Sequence, residues 1–313
     1  MILLDRSKPY YKANFHLHTT NSDGRRGPDE AIALYREHGY DVLAITDHWK
    51  ITCESHMEGN MLVLAGMELD FNLPHQVIHM LGLGVRPQLL ERVSRTSSPQ
   101  RAADEIHRQG GVAVLAHPVW SLNTPATMIA LEGVSCAEVY NTVSGMPWNA
   151  DRADSTSLLD ITAAHGKLFR FLATDDAHFY NGDQCQSFTM LQADALTPQG
   201  VLDALRRGAF YASRGPQIYH YEFDGEVFRL DCSPAARIVF SSDLNFVSGR
   251  CTEGKNLTHA EYAVQSSHYE RFVRCQIWDG MGRCAWTSPI AVRKGKCHDY
   301  SGDSAPENRG NQK

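Results

Sequence analysis

The chain of 313 residues carries 30 Lys and Arg against 36 Asp and Glu, a net charge of −6, with 42% hydrophobic and 21% charged residues. That balance belongs to a globular protein with ample material for a core, and the acidic balance disfavours nucleic acid held on a broad cationic face. No apolar run approaches the roughly 20 residues of a membrane-spanning helix, and Met1–Arg6 lacks the features of a signal peptide. A cytoplasmic protein with no membrane contact is therefore expected. The 8 cysteines form no C-x-x-C pair, so reduced thiols are expected rather than a zinc ribbon or redox motif. Cys275 and Cys284 flank a turn-like Asp279-Gly280, a placement that permits a disulfide without implying one.

In chain order, the first two-thirds alternate short apolar runs with helix-like segments. Strands are predicted at Ala13–His18, Val42–Thr46, Met61–Glu68, Val77–Leu83, Val112–Ala116, Ala137–Tyr140 and Phe169–Thr174. Helices are predicted at Pro28–His38, Gln100–Gln109, Ser157–His165 and Pro198–Arg207, most of them followed by glycine as a C-terminal cap. Strands and helices in alternation predict a parallel sheet, and about seven strands favour closure into a barrel. After Gly215 the pattern changes to short strands at Tyr219–Phe223, Val227–Cys232, Arg237–Ser241, Ala260–Ser266, Phe272–Trp278 and Arg283–Thr287. Asp224-Gly225 and Asp279-Gly280 mark hairpins among them. The expected organisation is an α/β barrel over residues 1–215, a small all-β, sandwich-like domain over 216–293, and a polar flexible tail over 294–313.

One composition figure stands out, the 15 histidines. Six of them fall at the ends of successive predicted strands: His16 and His18, His48, His79, His117 and His178. Asp23, Glu68 and Asp176 accompany them. Strand alternation puts His16 and His18 on one side, so both can hold one ion. The rest arrive mainly at C-terminal strand ends, the edge where α/β barrels build their sites. Imidazoles mixed with carboxylates and no thiolate suit zinc, manganese or iron. Nine donors are too many for one ion and point to two or three divalent metals sharing a bridging carboxylate. The other histidines need no functional explanation, although His75 lies close enough to His79 to be considered for the pocket.

The ordered series Phe15-His16-Leu17-His18-Thr19, Ser22-Asp23-Gly24, Ile45-Thr46-Asp47-His48, Gly66-Met67-Glu68, His79-Met80-Leu81-Gly82, Ala116-His117-Pro118 and Asp176-Ala177-His178 resembles the motif series of the polymerase and histidinol phosphatase (PHP) family. The resemblance runs over roughly residues 13–215 and implies that family's distorted seven-stranded β/α barrel. Gly208–Pro216 and Ala285-Trp286-Thr287-Ser288-Pro289 resemble the branch that includes carbaryl-hydrolase-like metallohydrolases. Carried over by position, the resemblance implies one ion on His16, His18, Glu68 and Asp176. A second ion would sit on Glu68, His79 and His117, and a third on Asp23, His48 and His178. Asp175 is the alternative to Asp176 if the register is displaced by one residue.

Gly-x-Ser-x-Gly is absent, and no cysteine neighbours the histidines in sequence. The expected nucleophile is water activated between metals, with Glu68 and Asp176 orienting the ions and accepting its proton, and His178 a candidate donor to the leaving group. Asp47 is the expected hydrogen-bond acceptor behind His48. Arg25, Arg26 and Asn141 are candidate contacts to a small phosphorylated substrate, with solvated loop arginines as the plain alternative. Glu138 is read as either a pocket carboxylate or a core-edge carboxylate with a basic neighbour, Arg214 as a mark of the domain junction, and Trp120 and Trp148 as packing under loops in preference to walling a pocket. The leading expectation is a phosphoesterase acting on a small phosphorylated metabolite or nucleotide. A hydrolase of carboxylic esters or carbamates is the alternative, and a non-catalytic metal-bearing module ranks third. Oligomeric state is left open.

Overall fold

The computed structural model describes residues 1–265 and 270–292, so the tail expected at 294–313 lies outside the described residues. Its strands are β1 (Ile2–Leu4), β2 (Tyr11–Asn14), β3 (Val42–Ile45), β4 (His56–Glu58), β5 (Met61–Leu73), β6 (Gln76–Leu83), β7 (Val112–Leu115), β8 (Cys136–Asn141) and β9 (Arg170–Thr174). They continue with β10 (Phe188–Leu191), β11 (Phe210–Ser213), β12 (Ile218–Phe223), β13 (Val227–Ser242), β14 (Cys251–Ala263), β15 (Phe272–Trp278), β16 (Cys284–Trp286) and β17 (Ile290–Ala291). The helices are α1 (Pro28–Glu37), α2 (Pro99–Arg108), α3 (Pro125–Ala130), α4 (Thr156–Ala164) and α5 (Pro198–Arg207). Proline opens α1, α2, α3 and α5, and the side chains of Ser98, Thr124 and Thr197 cap α2, α3 and α5.

The architecture is α/β, a large mixed sheet with few helices. All seven strands expected before Gly215 are present, and β2, β3, β5, β6, β7, β8 and β9 pair as neighbours in that order. Two of the expectations need correction. The sheet is not wholly parallel, because β5 and β6 form a hairpin and β6 therefore runs against both neighbours. Nor is it closed by a ladder. The free edge of β2 is taken by β10, which pairs antiparallel with it and with β11. The exposed donors of β9 are met by side chains instead: Thr189 Oγ1 accepts from Ala173 N at 3.2 Å and Ser288 Oγ from Phe171 N at 3.0 Å. Beyond the strands, Asp176 N donates to His16 O at 2.8 Å and His18 N to Ala177 O at 3.0 Å. These two bonds join the first and last of the seven strands at the end where the histidines gather.

Helices α2, α3 and α4 bury Ala103, Ile106, Met128 and Leu159 against one face of the sheet, with Met80, Leu115 and Phe171. A second core of Phe15, Val42, Leu64, Val114 and Leu172 is covered by Leu202 and Leu205 of α5. Helix α1 packs Ile32 and Tyr35 on Leu43 and Val63.

The C-terminal strands have a core of their own, including Tyr221, Phe228, Ile238, Phe240 and Ile277. They are nevertheless continuous with the larger sheet through β11–β16, and N-terminal β1 adds to them by pairing with β12. Trp286 is 1% exposed and stacks on Tyr140, with ring centroids 5.8 Å apart. Arg274 on β15 holds Asp160 on α4 with two contacts of 2.6 Å. The segments expected at Val227–Cys232 and Arg237–Ser241 are one long strand. Cys275 and Cys284 are both free thiols, since the ladder sets Cys284 opposite Trp278. Arg214 lies at the junction with its guanidinium 4.2 Å from the Tyr140 ring centre.

Candidate metal centre

Nine side chains expected from the sequence as ligands converge in three groups: His16, His18, Glu68 and Asp176; Glu68, His79 and His117; and His18, Asp23, His48 and His178. The candidate ligand atoms within each group lie within 4.8 Å of one another. Local backbone makes this convergence possible. His117 and Asp176, each just past a strand, have φ of 26° and 53°, in a region that non-glycine residues rarely occupy and that is characteristic of functional sites. The turn after His18 needs Gly24, where a Cβ would come 2.2 Å from His18 O. Asp23 is thereby held beside the imidazoles.

In the first group, His16 Nε2 and His18 Nε2 are 3.2 Å apart. They stand 3.3 and 3.1 Å from Glu68 Oε2 and 3.0 and 3.1 Å from Asp176 Oδ1. Ligands at about 2.0–2.2 Å around one ion lie about 3.0–3.5 Å from each other, so the spacing fits a divalent metal. Asp176 Oδ1 is buried without a hydrogen-bond donor, a need that an ion would meet. Glu68 divides its oxygens between two groups. Its Oε2 faces His16, His18 and His48, while Oε1 lies 2.7 Å from His79 Nδ1 and 3.3 Å from His117 Nε2. Asp23 reaches His18 and His178 at 3.5 Å through Oδ1, and His48 at 3.7 Å through Oδ2.

The outer nitrogens decide which lone pairs face inward. His16 Nδ1 donates to Glu138 Oε1 at 2.7 Å. His117 Nδ1 is 3.0 Å from Ser121 Oγ, and His178 Nδ1 donates to Asp176 O at 2.7 Å. Each Nε2 is left aimed at the centre, the arrangement that fixes tautomer and ring orientation in metal-ligating histidines. Glu138 is completely buried and also accepts from Thr174 Oγ1, His117 N and Asn141 Nδ2 at 2.7–2.8 Å. Its basic neighbour is thus His16.

Charge coupling is strong. Burial alone raises carboxylate and lowers imidazole pKa values. Against that desolvation, His16 and His79 hold Glu68 well below the usual carboxylate range, and His16 and His178 do the same for Asp176. His16 is raised well above the ordinary imidazole value by Asp176, Glu68 and Glu138, despite its burial. His178, also opposed by burial, is raised to about 9 by Asp176 and Asp23.

Asp176, rather than Asp175, faces the centre. Asp175 is turned away and accepts backbone N–H groups from Cys185, Gln186 and Ser187 at 2.7–2.9 Å, together with the Tyr35 hydroxyl. Two expectations are corrected, and one alternative is decided. Asp47 does not orient His48; it ties down the following loops by accepting from Thr19 N, Thr19 Oγ1 and Ser22 Oγ at 2.7 Å, and from Thr52. Adjacent residues on extended backbone point to opposite sides, which separates Asp47 from His48. Asn141 is fully buried and spends its amide on Glu138, Asp176 and Ser144, so it steadies Asp176 and leaves nothing for a substrate. Trp120 and Trp148 line the cavity over the centre rather than simply packing under loops. Arg25 is exposed, with its guanidinium 4.8 Å from the Phe179 ring, while Arg26 faces Tyr180. His75 occupies the tip of the β5–β6 hairpin, outside the three groups.

The cavity has a volume of about 270 Å³. Phe179, which also lines it, went unremarked in the sequence, although it directly follows His178. Ser121 was likewise missed; its position four residues after His117 was the available signal.

No protein-family model matches the sequence, and no curated protein matches it. Among solved structures, the chain is similar to a two-domain protein from Bacteroides vulgatus described as containing a predicted PHP-like metal-dependent phosphoesterase. The identity is 15% over 90% of this chain and 96% of that one, with a TM-score of 0.52. A candidate metal-dependent phosphoesterase from Bifidobacterium adolescentis matches at 18% identity over 64% of this chain and 98% of its own, with a TM-score of 0.40. An amidohydrolase from Chromobacterium violaceum matches at 18% identity over 55% and 89%, with a TM-score of 0.41. The last two overlay too loosely to support an argument. The first shows a shared fold, and the chain places a metal-binding His/Asp/Glu cluster on it.

Proposed function

We propose that the protein is a PHP-type metal-dependent hydrolase that cleaves phosphoric esters of a small metabolite or nucleotide. The observation that carries this reading is the division of Glu68 between two donor groups, with a third group beside them. Two or three divalent ions, zinc, manganese or iron, would be held by His16, His18, Glu68 and Asp176, by Glu68, His79 and His117, and by Asp23, His48 and His178. Such ions supply charge neutralisation for phosphate oxygens and an activated water.

The chain's own residues set the conditions. Glu138 keeps His16 in one tautomer, Asn141 steadies Asp176, and the buried carboxylates offset the ions' charge. Glu68 and Asp176 are placed to accept a proton, and His178, whose proton is held to about 9 before any ion binds, would donate to the leaving oxygen only with two ions bound and the third position empty, since as a ligand its Nε2 must be unprotonated. Arg25 at the rim is retained as a phosphate contact on the strength of its exposure beside Phe179. Arg26, on the same loop, is retained with less reach.

The order of the seven strands, and the bonds joining His16 and His18 to Asp176 and Ala177, bring the two ends of the open sheet together at the site. The division into 1–215 and a sandwich-like 216–293 is supported by the separate C-terminal core.

The test loads the purified protein with Mn²⁺ and assays p-nitrophenyl phosphate, its bis ester, a nucleotide panel, and aryl acetates and carbamates. Phosphate ester turnover that falls on metal removal supports the reading. Turnover of carboxylic esters or carbamates far above that of phosphates replaces it with the carbaryl-hydrolase-like alternative. Inactivity throughout, with metal content verified, overturns it.

A further inference from the structure

The cavity over the metal centre has two kinds of wall. Its floor is formed by imidazoles and carboxylates, and aromatic rings rise on its sides. Trp120 stands nearly perpendicular to His117 and His79, with ring centroids 5.0 and 5.7 Å away. Its indole N–H donates to Asn149 Oδ1 at 3.0 Å, and Asn149 Nδ2 donates to Val143 O at 2.8 Å. That ring is therefore fixed in place. Trp148 is 60% exposed and lies at 76° to Phe179, with centroids 5.1 Å apart. Phe179 in turn has the Arg25 guanidinium 4.8 Å from its centre.

Exposing a tryptophan forgoes the burial of one of the largest apolar side chains. Trp148 does so at the mouth of a cavity, on a short turn whose next two residues, Ala150 and Asp151, have φ of 52° and 58°. The chain thus accepts unfavourable backbone where it presents an open aromatic surface. A hydroxylated, fully hydrated leaving group gains little from such walls, whereas a flat ring gains stacking and desolvation. At about 270 Å³ the cavity is at the small end of small-molecule sites.

Building on the phosphoesterase reading, we infer that the substrate carries an aromatic or heteroaromatic ring next to the scissile group, held against Trp148 and Phe179 while the ester is directed to the floor. Trp148 and Phe179 are then determinants of specificity, and Trp120 is the fixed wall between them and His117.

The test is binding, read by titration calorimetry of the Mn²⁺-loaded protein with phenylphosphonate and methylphosphonate. Phenylphosphonate is expected to bind about tenfold more tightly, the scale of one base–aromatic stacking contact. The ratio should fall to within about threefold in Trp148→Ala or Phe179→Ala. Trp148 is exposed, so its variant tests the wall without emptying a core. Equal affinities in the wild type, or a preference unchanged in both variants, overturn the aromatic substrate while leaving the phosphoesterase reading intact. Failure of both phosphonates to bind overturns both.

Discussion

Two donor groups in this molecule share His18 but differ in nearly everything else. Around His16, Glu68 and Asp176 the side chains are 0–4% exposed, and Glu138 and Asn141 hold them from behind. Around Asp23, His48 and His178 the exposures are 54%, 22% and 19%, and the spacings open to 3.5–3.7 Å. The difference follows from where the residues come from. The first group is built on strand ends locked by backbone bonds between His16 and Asp176, whereas Asp23 projects from a loop steadied by Asp47. Burial and a fixed tautomer prepare a tight ion site in advance; an exposed carboxylate on a loop pays more ordering entropy and competes with water. The buried group is therefore expected to hold an ion more tightly than the open one, which faces solvent.

The largest effect should come from Glu68→Ala, which removes the one carboxylate common to two groups. Metal content by elemental analysis should drop by at least two ions, and hydrolytic rate should fall about 10³-fold or more, the scale of several kcal/mol. Retention of full metal content would break the comparison at its root. Next is Glu138→Gln, which spares every ligand but weakens the hold on His16. Metal affinity, followed by chelator competition, should fall about 10–100-fold. If the affinity is unchanged, the acceptor behind His16 is mere packing.

Asp23→Asn should act only on the open group. One ion fewer is expected by elemental analysis, with the buried group still loaded; loss of all ions would mean that the two groups are a single cooperative unit. The smallest effect concerns protons. In the ion-free protein, His16, His18, His79 and His178 are all raised, the last to about 9. A raised imidazole favours the charged form, and a metal requires the neutral one, so loading at pH 7 should release protons and affinity should climb as pH rises toward 9. Calorimetry in buffers of different ionisation enthalpy reads the proton count directly. A count of zero would show that the imidazoles are already neutral, contrary to the carboxylates around them.

Legibility in the sequence followed the range of the interaction. His16 and His18 were readable as a pair because a two-residue period fixes their side. Glu68, His79, His117 and Asp176 were readable because each follows or lies within a clear apolar run. The Asp175/Asp176 register could be settled only in three dimensions, where a turn at Cys185–Ser187 supplies the amides that draw Asp175 away. The short runs of β10 and β11 gave too weak a signal to be read as strands, so the open edge beside β9 was read as a closed barrel. Asp47 was hidden for a similar reason, because its partners Thr19 and Ser22 lie on an earlier loop; Asn141 is taken up locally, by Glu138 and Ser144 three positions to either side, and by Asp176.

The sequence alone thus determined the donor set and its approximate location, because strand periodicity and residue chemistry are local properties. The family resemblance already implied the three donor groups with Glu68 shared between two of them; only the tertiary structure decided which group is buried and which is open. It also assigned Glu138 to His16 and showed which aromatic rings border the cavity. Those features depend on contacts between residues up to 160 positions apart, and their directions are set by how the sheet is paired and capped rather than by any local pattern.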